Sequence, residues 1–199
     1  VLTLHVAENS PETAVLVDGA TVAAVAPYEE LTAAVPQARV RRWPGILLPG
    51  LLNPYAPELL EATYHPDPRE ADTLGSAPIT GERAQAIFRN DASRLGASAR
   101  RGVQQLLAHG TVAVAGDLRT RTVADVVRRA GLAVGQRPPR LPGPPSLSPR
   151  PLILLPPLVP SRAACFAVFD VATREELVKR GASTCVATVI EGRIVHRRR

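Results

Sequence analysis

The chain has 199 residues, a formal charge of +6, a 45% hydrophobic fraction and only 4% aromatics. That length buries one core or one and a half, falls short of the roughly 250 residues of a (β/α)8 barrel, and leaves the core to Ala, Val and Leu. The charge is almost all arginine, since Lys179 is the single lysine, and it is scattered in pairs rather than clustered beside stacking aromatics, which argues against a nucleic-acid partner.

Ala, Arg, Pro, Val and Gly enrichment fits a GC-rich coding bias, which competes with any functional reading of the arginines. Cys165 and Cys185 are isolated, without a CxxC spacing, so zinc and thioredoxin-type chemistry lack support. Two buried free thiols fit a reducing, cytoplasmic setting. No basic-then-apolar leader opens the sequence, and the apolar run at 152–159 is broken by Pro156 and Pro157, so neither a signal peptide nor a membrane span is expected.

The opening alternation of 1–6 predicts a half-buried strand. A turn follows at 9–12, a second strand at 13–17, an Asp18-Gly19 hairpin signal, and a third strand at 21–25. A short helix is expected over 28–35, ended by Pro36, and a strand over 38–43. Pro44-Gly45 and Pro49-Gly50 then bend the chain twice around a buried strand at 46–48.

A helical turn is expected at 58–64, a proline-broken polar loop at 65–72 and a helix at 81–88. A longer helix over 97–109 has Val103, Leu106 and Leu107 on one side and Arg100, Arg101 and Gln104 toward solvent. A strand over 111–117 ends in Asp117. The next helix, 122–129, has Thr122 as its expected N-cap and Gly131 as its C-cap, with a short strand over 132–134 beyond it. Residues 136–160 hold half of the 20 prolines and read as extended or polyproline II linker. The chain closes with a strand at 163–171, a helix at 174–180 between Thr173 and Gly181, and a hairpin across Glu191-Gly192.

Three stretches carry a resemblance to the amidohydrolase superfamily. Asp18-Gly19 through Val25, followed by Leu48-Pro49-Gly50-Leu51-Leu52-Asn53, is similar to the way that family leaves its small β-sandwich for the first barrel strand. Leu106-Leu107 through Thr111 to Asp117 resembles its second barrel unit. Residues 163–171 and 186–195 resemble its return to the sandwich. The likeness is nearest to the imidazolonepropionase and aminodeoxyfutalosine deaminase branch and its bacterial composite domain.

The resemblance implies a mixed α/β chain. A β-sandwich composite domain would form from residues 1–52 together with 162–196, a remnant of one or two barrel βα units from 53–135, and a Pro-rich linker from 136–161. It also implies hydrolysis of non-peptide carbon–nitrogen bonds in a cyclic amidine or imidazolone-type substrate, on a metal held by two histidines just after the Leu-Pro-Gly phrase. Those positions are Tyr55 and Pro57 here. Proline has no ligand atom, and a tyrosinate needs a strongly depressed pKa.

The four histidines, His5, His65, His109 and His196, stand alone in the sequence. His65, Asp67, Glu70 and Asp72 form the one His/carboxylate cluster, a weak candidate for a relocated metal site against the alternative of a solvated acidic loop. Asp117 is a second weak candidate, because α/β folds place functional groups at the carboxyl ends of strands. No nucleophile elbow, dinucleotide fingerprint or phosphate loop is present. The expectation is a truncated, non-catalytic amidohydrolase homologue without cofactor. It would act as a binding or scaffold module, and its uncovered apolar faces are met by a second copy or another protein.

Overall fold

The computed structural model describes residues 1–198. It is a mixed α/β structure built on three four-stranded sheets, with no closed barrel. The first sheet is an antiparallel meander of β1 (Leu2–Ala7), β2 (Ala14–Asp18) and β3 (Thr21–Ala26), to which β4 (Arg39–Trp43) adds in parallel beside β1. The β2–β3 turn is Gly19-Ala20, because Asp18 itself pairs with Thr21. Helix α1 (Tyr28–Ala34) lies over the outer face. Leu4, Val6, Ala14 and Leu16 pack beneath its Leu31, while Ala7, Val15, Val17 and Trp43 face the other way. Burial on both faces explains why β2 reads as a continuous apolar run.

The second sheet, in the order β12-β11-β10-β5, contains β5 (Ile46–Pro49) from the first half of the chain. Its other strands are β10 (Phe166–Phe169), β11 (Cys185–Ile190) and β12 (Arg193–Arg197) from the end. Leu47, Phe166, Val168, Ala187 and Val189 meet the inner face of the first sheet, so both ends of the chain build one sandwich core. Ala167 and Phe169 point to the opposite side, toward α7 (Arg174–Arg180) and its Leu177. The Oγ1 of Thr173 accepts the Glu176 N–H at the start of α7, and Gly181 ends the helix at φ +85°.

The third sheet is the barrel-like part, in the order β8-β7-β6-β9: β6 (Leu51–Asn53), β7 (Thr111–Ala115) and β8 (Ala133–Gly135) run parallel, and β9 (Ile153–Leu154) pairs antiparallel with β6. Helices α2 (Ala56–Leu60), α3 (Ala71–Leu74), α4 (Gly81–Asn90) and α5 (Arg94–Ala108) occupy the β6–β7 connection, and α6 (Arg121–Arg129) the β7–β8 connection. The apolar stripe of α6, Val123, Val126 and Val127, packs on Val103, Leu106 and Leu107 of α5. Two expectations change here. The N-cap of α6 is Thr120, not Thr122, and Arg101 is not in solvent but folds back over the β6–α5 connection.

Strands β4, β5 and β6 are consecutive, yet each lies in a different sheet. The two Pro-Gly pairs are the joints between them. Gly45 has φ +69°, and a Cβ there would sit 2.0 Å from the Phe169 carbonyl oxygen. A Cβ on Gly50 would sit 2.3 Å from a Val112 methyl. Each joint therefore passes so close to a neighbouring strand that only glycine fits.

The Pro-rich segment is docked rather than a free linker. Pro142 and Pro149 are buried. Leu147 and Leu155 pack on the helical core, and Leu152 and Leu154 on the core beneath the second sheet. Residues 153–154 form β9, and the Leu155 N–H donates to the Gly50 carbonyl. Apolar side chains at 147, 152, 154, 155 and 158 give this segment enough contact area to hold it despite its lack of regular hydrogen bonding.

Candidate functional site

The carboxyl ends of β6, β7 and β8 open on one cleft of about 740 Å³, where parallel α/β sheets bind ligands. Its walls carry Pro57 and Glu58 from α2, Glu61 at the C-cap of that helix, Asp117 and Arg119 from the β7–α6 connection, and Arg137 just past β8. Glu58 and the C-cap Glu61, three apart with Glu61 still in right-handed helical backbone, lie on one side of α2. Arg137 forms an ion pair with Glu58. Glu61 accepts the backbone N–H groups of Arg119 and Thr120 at 3.2 and 2.6 Å, so its carboxylate occupies the amino-terminal end of α6. Asp117 is exposed, and among the described residues neither it nor the Arg119 guanidinium has a side-chain partner.

The cleft thus offers one free carboxylate and one free guanidinium beside a neutralised pair. That equips it to hold a small polar ligand that both donates and accepts. No histidine, lysine, serine or cysteine lines it among the described residues, so the walls hold no Ser–His or Cys–His pairing.

The two positions at which the family resemblance would place metal ligands serve the chain's own architecture. Tyr55 is buried, and its hydroxyl donates to the Gly143 carbonyl. The Asn53 side chain accepts the Tyr55 N–H at 3.0 Å and donates to the Ser146 carbonyl at 2.8 Å. Pro57 occupies the first turn of α2, where a missing N–H costs nothing. Asn53 and Tyr55 therefore fasten the Pro-rich segment across the end of β6.

His65, Asp67 and Glu70 lie apart from this cleft, against α5. Asp67 caps a 3-10 turn at Pro68–Glu70 by accepting the Arg69 N–H, and it pairs with Arg101 at 3.3 Å. One oxygen of Glu70 accepts the Tyr64 hydroxyl at 2.5 Å and the Asp67 N–H at 3.0 Å, and the other pairs with Arg94 at 2.7 Å. The Tyr64 hydroxyl, more than any other group, holds the Glu70 carboxyl below the usual carboxylate range.

The Nε2–H of His65 donates to the Leu59 carbonyl at 2.8 Å and its Nδ1 has no partner, while burial lowers its pKa. The three residues are drawn together as a clip holding the 65–70 loop to α5. Asp72 stays exposed and Asp117 is in the cleft. Among the described residues no three His, Cys, Asp or Glu side chains converge as a metal site. His109 closes α5, with Nδ1 2.7 Å from the Gln105 carbonyl oxygen. Cys185 is buried, its thiol pushed up to about 11 by that burial, whereas Cys165 is only half-buried.

Glu58, Glu61, Arg119 and Arg137 were not marked by any sequence motif. The one local signal in that direction is the i, i+3 spacing of the two glutamates just after positions 55 and 57, and none marks the two arginines.

No family model matches the sequence, and no curated protein matches it. Among solved structures the chain is similar to A. niger ochratoxinase, at 17% identity and a TM-score of 0.45 over 68% of this chain and 31% of that one. It is also similar to an N-isopropylammelide isopropylaminohydrolase from Burkholderia multivorans, at 17% identity and a TM-score of 0.42 over 71% of this chain and 39% of that one. A third likeness is to guanine deaminase from Bradyrhizobium japonicum, at 17% identity and a TM-score of 0.38 over 62% and 27%. The chain spans about a third of the length of these structures.

Proposed function

We propose that this protein is a non-catalytic, amidohydrolase-like binding module whose cleft at the ends of β6, β7 and β8 takes a small polar ligand. The observation that carries the reading is the use made of Asn53 and Tyr55. Both side chains are committed to hydrogen bonds that tie the Pro-rich segment over β6, and Pro57 beside them has no ligand atom. A hydrolytic centre needs three or four converging ligands and an open position for water. The cleft offers instead the Glu58–Arg137 pair, Asp117 and Arg119.

The module is completed by a partner, a second copy of the chain or another protein. In support, all three residues of β8 are exposed and Val134 is 59% exposed, on a strand that ends its sheet. The metal-dependent cyclic-amidine or imidazolone hydrolase is the competing reading. Metal analysis of the purified chain, together with an imidazolone or amidine hydrolysis assay, separates the two. The expected result is substoichiometric zinc and iron with no turnover. Stoichiometric metal with turnover overturns the proposal, and a clean monomer by light scattering at micromolar concentration removes its partner clause.

A further inference from the structure

Strands β4 and β12 end their respective sheets on the same open side of the sandwich, and both turn arginines inward there. On β4, Arg39 and Arg41 share the inner face with Trp43, since they stand opposite Thr3, His5 and Ala7 of β1. On β12, Arg197 stands opposite Ala187, another inner-face residue. The three side chains line a pocket of about 210 Å³ that has no carboxylate in its wall. Six other arginines, at 94, 101, 128, 137, 180 and 193, each pair with a carboxylate. Arg39, Arg41 and Arg197 form no ion pair among the described residues.

We propose that the gap between β4 and β12 binds a compact oxyanion, phosphate or the phosphoryl group of a small molecule, held by Arg39, Arg41 and Arg197. Guanidinium groups suit tetrahedral oxyanions because their planar forks give paired charge-assisted hydrogen bonds. The pocket volume equals about seven waters at ~30 Å³ each, which accommodates one phosphoryl group and its nearest waters. The crowding is felt at Arg41, whose pKa is lowered first by burial and then by Arg39 and Arg197. A bound dianion reverses that repulsion.

The same features disfavour a nucleic-acid strand. Trp43 is 4% exposed and Arg197 covers its ring at 5.5 Å, so no face remains for base stacking. Inward charges on edge strands also deter edge-to-edge association, but that role needs no convergence of three.

Trp43 is the single tryptophan of the chain and lines this pocket, so its fluorescence reports occupancy directly. The full chain is titrated with inorganic phosphate and with pyrophosphate at constant ionic strength, following Trp43 emission and the thermal midpoint. A saturable emission change and a rise in midpoint are expected. Arg41→Gln and Arg197→Gln should each weaken binding about tenfold or more, and Arg41→Lys less. The unliganded midpoint of Arg41→Gln should hold or rise, because it removes repulsion, and Arg83→Gln on α4 should bind as the parent does.

An equal response to chloride at the same ionic strength overturns the proposal, as does parent-like binding by the glutamine variants. A lower unliganded midpoint in Arg41→Gln assigns that arginine to structure. Tighter binding of a single-stranded oligonucleotide than of pyrophosphate assigns the patch to nucleic acid.

Discussion

Acidification below about pH 6.5 should weaken this fold through His5. His5 is 1% exposed, and its Nδ1 accepts the Trp43 indole N–H at 3.1 Å. Its ring lies parallel to that indole and edge-on to Phe166. Protonating Nδ1 turns the acceptor into a second donor, breaks the bond to Trp43 and sets a cation beside Arg41. Burial, with Arg41 second, lowers the pKa from 6.5 to about 4.

Between those values the unfolded chain holds a proton that the folded chain does not, so stability rises with pH. The contribution is fully present above pH 6.5 and is lost as pH falls toward about 4. At 1.36 kcal/mol per unit, the total is about 3 kcal/mol, of which about 2 kcal/mol is gone by pH 5. For a chain of this length that is a fall of about 4–8 °C in the midpoint.

Urea unfolding of the parent and of His5→Asn, across about pH 8 to pH 4, isolates the term. Asn retains an acceptor for Trp43 but cannot titrate, so the difference between the two curves should carry the slope. An NMR titration of the imidazole protons should leave His5 neutral well below pH 6.5. A His5 resonance titrating near 6.5, or an unchanged acid slope in His5→Asn, would refute the reasoning.

Gly45→Ala should cost on the order of 4 kcal/mol or more, because it adds a Cβ against the Phe169 carbonyl at positive φ. A midpoint within about 3 °C of the parent would contradict the joint assigned to it. Tyr55→Phe should cost about 1 kcal/mol and release the Pro-rich segment locally. Trypsin reads this at Arg140, the one arginine of 136–160 not followed by proline; cleavage should speed up about fivefold, and an unchanged rate counts against the tether. Glu70→Gln keeps the shape of the 65–70 clip but loses the charged pair with Arg94, at a cost of about 1–2 kcal/mol in urea unfolding. Alkylation of the native protein should modify Cys165 well before Cys185, whose thiol is buried and raised; equal rates would show that β11 opens readily.

Most elements were legible because their signals are local. The Val123, Val126 and Val127 stripe, the Thr173 cap with Gly181, and the Glu191-Gly192 turn lie within a few residues of what they control. The docking of the Pro-rich segment was not legible. Its contacts, Asn53 to Ser146 and Tyr55 to Gly143, join residues about ninety apart, and no local pattern encodes which groups meet across that distance. The cleft was half legible: Asp117 was marked by its place at a strand end, but Glu58, Glu61 and Arg137 become neighbours only once α2 and β8 are set side by side.

By itself the sequence determined the order and kind of most strands and helices, β9 and α3 excepted, and the two Pro-Gly joints of 43–53. Backbone preference and hydrophobic periodicity act over a single turn or strand. It also determined that positions 55 and 57 carry no histidine. Only the tertiary structure decided that Asp67 and Glu70 pair with arginines of α5 to clip the 65–70 loop, and that arginines 39, 41 and 197 share one pocket. Charges interact through space, and which ones come within a few ångströms is set by how the sheets pack.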